Sequence, residues 1–281
     1  MPTSHLPPAS PDRLARWKAA FAKVGWFIPA YVSTGTLDQF ARLVDQVGDE
    51  FDQSHLEAVM EAIYAPERVV AMTLHRYPQT AIIKDFSVTI TEAVQAHLIG
   101  LHHIAIGGLV PAIEGIGKRF CAERGLQQTR NSTKLFKQLM DDIKRESLER
   151  NIGVTPEVEA MMDAFSHFTT EHLYAESTTY PLSDKTNRHG ITHGDYADAD
   201  YGSPLNFYKA ISAIDVMTFV TIFRHPGSVF VPEMTPECEK FIASAKAQVE
   251  AKRSFYGPES ANENDLIWDR LWNIFRRSRK H

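Results

Sequence analysis

Ser203-Pro204-Leu205-Asn206-Phe207-Tyr208-Lys209-Ala210-Ile211-Ser212-Ala213-Ile214 opens on a serine and a proline, and apolar residues then recur at helical spacing. A serine side chain accepts from the free N–H groups of a first helical turn. Proline loses nothing at the first position, where its missing N–H has no partner anyway. Phe207, Ile211, Ile214, Thr218 and Ile222 carry the stripe on until Arg224-His225-Pro226-Gly227 stops it.

Working outward, the same start signal stands at Thr155-Pro156, cap then proline, ahead of Val158, Met162, Phe165 and Phe168. Before it, Asn131 or Ser132 caps a helix with Leu135, Leu139 and Ile143. A long helix is predicted from about Ile82 past His97, with Gly107-Gly108 breaking it and Leu109 to Arg124 resuming before Gly125. Nearer the N-terminus, Pro11-Asp12 opens a helix with Leu14, Trp17 and Phe21. Thr34 or Thr36 caps another with Leu37, Phe40, Val44 and Val47. Leu56, Val59 and Ile63 mark a third helix, and Val69, Met72 and Leu74 a fourth. Downstream, Thr235-Pro236 starts a helix and Asn264 to Arg277 reads as the last. Only Ser228 to Val231 has any strand character. The expected fold is an all-α multi-helix bundle. Weak breaks near Pro78 and Gly227 suggest a four-to-five helix core at 79–227, a helical extension at 1–78, and another at 228–281 with a basic tail.

Composition narrows the classes. The 281 residues are 43% apolar and 23% charged, ordinary for a globular protein, and hold no apolar run long enough to cross a bilayer. The first ten residues lack the basic-then-apolar layout of a secretory signal. Two cysteines, Cys121 and Cys238, are too few for a disulfide framework, so a reducing cytoplasm is expected. Net charge is −5, which argues against coating nucleic acid through a broad basic face. Any nucleic-acid contact should be local.

The polar stretch Ser177 to Ser203 lies between two predicted helices and contains Asn187-Arg188-His189-Gly190-Ile191-Thr192-His193. Histidine exchanges a proton near neutral pH, and arginine's planar fork of donors matches phosphate oxygens. Three Arg-to-His pairs occur at about this spacing. Arg68 to His75 belongs to an apolar helix and Arg276 to His281 to the terminal tail, which leaves Arg188 to His193. Along an ideal helix these two lie about 140° apart, so they converge only if Arg188 sits at the helix start, where Asn187 as a cap would place it. His189 and His193, four apart, share a face.

With Gly194, Tyr201-Gly202 and the helix that follows, this stretch resembles the motif of the HEPN superfamily, and Leu109 to Gly115 is similar to a helix start in bacterial members. The resemblance covers about residues 80–225. It implies an all-α domain that pairs as a homodimer, joining two motifs into one metal-independent ribonuclease site, in toxin or antiviral systems. RNA would be the substrate, with no cofactor; an antitoxin or regulatory protein is a further possible partner. RNA carries its own nucleophile, the 2′-hydroxyl, so cleavage needs a base, an acid and cationic stabilisation of the phosphorane. Arg188 would hold the phosphate, His193 would act as base or acid, and His189 would assist. Asn187 and Glu114 would support them, Glu114 by fixing the Arg188 rotamer.

Other readings stay open. Arg188 can instead pair with Asp184, Asp195, Asp198 or Asp200, leaving the histidines as hydrogen-bonded loop residues in a non-catalytic module that binds a nucleotide or a protein. His189, His193 and Asp195 would make a metal-dependent hydrolase. Glu114, just inside a helix start after Pro111, would serve the helix dipole or a structural salt bridge. His97, His102 and His103 read as core or solvent histidines, and the tail Arg276 to His281 as a solvated basic segment or a grip on RNA.

Overall fold

The computed structural model describes residues 9–256, among which there are eleven α-helices and no strand. They are α1 (Pro11–Lys23), α2 (Thr34–Val47), α3 (Gln53–Ile63), α4 (Pro66–Ala71), α5 (Ser87–Leu98), α6 (His102–Glu123), α7 (Ser132–Arg150), α8 (Thr155–Phe168), α9 (Arg188–His193), α10 (Pro204–Thr221) and α11 (Pro236–Tyr256). The all-α bundle expected from periodicity is what forms. No described helix is long and apolar enough to cross a membrane. The proposed Asn264–Arg277 helix and the basic tail lie outside the described residues.

Helix α10 organises the bundle. Ser203 caps it by accepting from Asn206 N–H, and Asn206 returns the bond to Ser203 N–H, so two orphan donors are satisfied at once. Where the sequence suggests a stripe, nearly every residue of α10 is buried, as expected of a helix packed on all sides. Helices α6 and α3 pack against it, α5 pairs with α6, and α7 with α8. The N-terminal region joins the same buried cluster. Trp26 Nε1 donates to Ser212 Oγ on α10, and Phe27 packs edge-on against Phe165 of α8. On α4, Arg68 reaches Asp215 of α10 at 3.1 Å, and Tyr77 donates to the same carboxylate. Cys121 and Cys238 are both buried free thiols.

Several local expectations are corrected. The break between α5 and α6 falls at Gly100, not at Gly107-Gly108. Gly100 takes φ +80°, which lets Leu101 N–H return to Ala96 C=O and close the end of α5. Helix α6 then runs unbroken through both glycines and Pro111. Gly107, whose carbonyl the proline leaves unbonded, is exposed, so water can take that bond. Ser33 caps α2, rather than Thr34 or Thr36. Thr155 lies inside α8 and gives no side-chain cap, although Pro156 sits in the first turn as expected. Asn131 is the cap of α7. Ser228 to Val231 forms no strand.

Candidate active site around Arg188

The polar stretch between α8 and α10 is built by a chain of buried polar contacts. Helix α8 passes into a π-turn, Thr169–Leu173, a geometry often found near functional sites. That turn presents the carbonyl of His172, and Asn187 Nδ2 donates to it at 3.0 Å and to Ala175 C=O at 2.9 Å. The same amide's oxygen accepts from Gly190 N–H, so Asn187, fully buried, both anchors the segment and caps α9. Gly194, at φ +77°, ends the six-residue helix.

Capping places Arg188 at the first helical position and His193 at the last. The long arginine side chain spans the angular offset, and Nη1 lies 2.7 Å from His193 Nε2 and 3.5 Å from His189 Nδ1. The two imidazoles lie nearly parallel, 17° between planes with centroids 5.6 Å apart. A guanidinium can only donate, so His193 offers a lone pair at Nε2 and carries its proton on Nδ1. His193 is exposed, His189 half-buried, and Arg188 reaches in between them toward α6.

There Arg188 Nε meets Glu114 Oε2 at 3.1 Å, while Lys118 Nζ takes Oε1 at 2.6 Å. Burial opposes the charge on Glu114, yet the Lys118 hydrogen bond and both cations hold the carboxyl below its ordinary range. Glu114 stands in the middle of α6, not at a helix start, because Pro111 interrupts nothing. The helix-dipole reading of Glu114 therefore falls, and it lies against Arg188. Tyr174 packs on Phe136 and stays near this pair. Burial first, then the Glu114 charge, raises its phenol well above the usual value.

The aspartates near Arg188 in sequence do not bind it. Asp195 Oδ2 accepts from Ser177 Oγ, Asp200 Oδ2 accepts from Ala197 N–H, and Asp184 pairs with Lys209. Among the described residues no three His, Cys, Asp or Glu side chains converge on a metal position. Asp195, engaged with Ser177, does not join His189 and His193, so the metal reading lacks its third ligand.

Asn206 closes the base of the segment. Its amide donates to Asp184 C=O and Thr186 Oγ1, while its oxygen accepts from Gly202 and Ser203 N–H groups. Below it Lys209 Nζ, fully buried, reaches Asp184 Oδ2 at 2.9 Å and Gln53 Oε1 at 3.0 Å. Burial lowers the Lys209 ammonium. Thr186 also donates to Asp184. Sequence reading finds none of Lys118, Tyr174, Asn206 or Lys209 as part of this assembly, and it offers Asp184 only as a partner of Arg188, where the structure pairs it with Lys209. The one available signal was the serine-to-asparagine capping spacing at 203–206.

His97, His102 and His103 have no hydrogen bond to Arg188, His189 or His193 among the described residues. His97 stacks on Phe207 at 3.7 Å, and its Nδ1 lies 3.0 Å from His102 Nδ1. Burial lowers both imidazoles. His103 meets Asp198 C=O and Tyr201. Compared with family models, curated proteins and solved structures, the chain matches none.

Proposed function

We propose that the chain is a metal-independent endoribonuclease of HEPN-like type that acts in the cytoplasm as a homodimer on RNA. What supports it most is the continuous line Glu114–Arg188–His193, in which a carboxylate fixes a guanidinium beside an exposed imidazole. The Glu114 contact orients Arg188 through Nε and leaves its outer nitrogens toward solvent and the histidines.

A phosphate entering here takes the Arg188 donors and releases the Nε2 lone pair of His193. His193 then accepts the 2′-hydroxyl proton as the oxygen attacks phosphorus. The P–O5′ bond breaks, giving a 2′,3′-cyclic phosphate and a 5′-hydroxyl once an acid protonates the leaving oxygen. His189 steers the guanidinium. In one protomer both imidazoles face Arg188 Nη1, on the base side of the phosphate, and a protonated imidazole of the second copy's motif, on the opposite side, gives its proton to the leaving 5′-oxygen. Charge building on the non-bridging oxygens strengthens the Arg188 contact most in the transition state.

Incubation of mixed RNA with the protein in EDTA, beside Arg188→Ala and His193→Ala, tests this. Cleavage that persists in chelator, ends in a cyclic phosphate and disappears in both variants supports it. Cleavage abolished by chelator, or retained by both variants, defeats it. Inertness on every RNA favours a binding module, a reading consistent with Arg188 already being neutralised by Glu114.

A further inference from the structure

The chain is acidic overall, but residues 115–140 carry Lys118, Arg119, Arg124, Arg130, Lys134 and Lys137 against the single acid Glu123. They form the last turns of α6, the turn 124–131 and the first turns of α7. Glu123 is engaged by His225 at 3.0 Å. Arg119 pairs with Asp85 and Lys137 with Asp141. Arg130 and Lys134 are exposed and have no ion pair among the described residues.

This corner is rigid and adjoins the Arg188 site. The Arg124 side chain, 1% exposed, is locked between Asp142 and Glu146 of α7 at 2.9 and 2.7 Å. Gly125 at φ +67° turns the chain, Leu126 N–H returns to Cys121 C=O, and Gln138 Nε2 holds Gln127 C=O at 2.6 Å. Gly117 packs directly beneath Leu135 and Phe136, so the α6 turn bearing Lys118 lies beside the α7 turn bearing Lys134. Lys118 in turn shares the Glu114 carboxylate with Arg188. Lys134 and Lys137, three apart, lie on one face of α7. Arg130 and Lys134 therefore stand as exposed cations without an ion pair among the described residues, on a helix start and turn joined through Lys118 to the reactive groups, where a flexible polyanion can follow without ordering a loop.

We propose that the α6–α7 corner is the docking surface for single-stranded RNA beside the cleaved bond, with Arg130 and Lys134 contacting backbone phosphates; this rests on the ribonuclease reading. The patch is small, which fits a protein whose net charge forbids broad coating.

The test is salt-dependent binding of a fluorescent, fully 2′-O-methylated oligonucleotide, which lacks the nucleophile and stays uncut, to the full-length protein. Each phosphate contact to a single strand contributes about 0.7 to the slope of log affinity against log salt. Arg130→Gln with Lys134→Gln should lower that slope by about 1.4, while Arg42→Gln with Lys240→Gln, equal in charge and elsewhere on the exposed surface, leaves it unchanged. Circular dichroism confirms that both variants fold. An unchanged slope in the corner variant, an equal fall in the control, or no binding by the wild type overturns the proposal. Binding with the expected slope change but no cleavage of ordinary RNA keeps the docking surface and rejects the ribonuclease. Cleavage of a dinucleotide with no slope change does the reverse.

Discussion

Lys209 and Asp184 meet at 2.9 Å with side chains 0% and 1% exposed, an ion pair closed off from water beneath the segment that carries Arg188. Removing one partner strands the other charge in the core. Lys209→Met should cost about 3–5 kcal/mol, and adding Asp184→Leu should recover much of it. Urea unfolding of the single and double variants checks this. Equal losses in both would show that the pair's own attraction, rather than the stranded charge, sets the cost.

Burial holds the His102 and His172 imidazoles down to about 4, and His97 well below its ordinary value. Below about pH 6.5 the unfolded chain binds protons that the folded chain refuses. The stability these groups contribute is complete above that pH and drains away as pH falls toward 4, by on the order of 3 kcal/mol for each of His102 and His172. Unfolding midpoints measured from pH 7.5 down to 4.5 should decline, and His102→Gln should flatten the decline. A midpoint indifferent to pH across that window would contradict the burial of these rings.

Asn187→Asp keeps the cap acceptor but loses the two donors that tie α9 to the carbonyls of His172 and Ala175. It also sets a negative charge against them. The expected loss is about 2–4 kcal/mol, with amide exchange accelerated first at Gly190 and Ile191. Exchange unchanged at those two amides would show that the tether is dispensable.

Arg188→Ala should reduce kcat about 10²–10³-fold with little change in KM, because its contact strengthens as charge builds. Glu114→Gln, which keeps an acceptor but loses the charge, should cost about tenfold. Arg188→Ala should shift stability by no more than about 1 kcal/mol, since Lys118 still pairs the Glu114 carboxylate it leaves behind. A rise in KM alone would assign Arg188 to ground-state binding.

A methyl group on Gly190 would fall within the Tyr196 ring, whose hydroxyl donates to Ser177 C=O. Gly190→Ala should destabilise the segment by about 1–3 kcal/mol. Gly190→Ala with Tyr196→Ala should regain the lost packing strain, and thermal unfolding of the pair measures it.

The helices were legible where a local device announces them. Ser203-Pro204 opens α10, Asn131 caps α7, and Asn187 sits where a cap was needed for Arg188 to reach His193. What stayed hidden depends on other helices. Glycine and proline look like breakers at 107–111, yet exposure of Gly107 lets water satisfy the freed carbonyl, and the packing of α6 continues past it. The charges of Lys209 and Asp215 inside α10 carry no local signal that they are buried. Only Asp184 and Arg68, brought from distant segments, show them to be buried pairs. The contact of Glu114 with Arg188, 74 residues away, stood as one of two expected readings, and only the packing of α6 against α9 decides between them, since no spacing argument reaches that far.

One side-chain amide, Asn206, joins residues 184 and 186 to residues 202 and 203. What lies between leaves the scaffold and returns to it at nearly the same point, like a handle on a lid. Substitutions at its exposed outer positions transmit little to the helices below, whereas Asn187, Arg188 and Gly190 bind it to them, so the rim can diversify while the frame stays fixed.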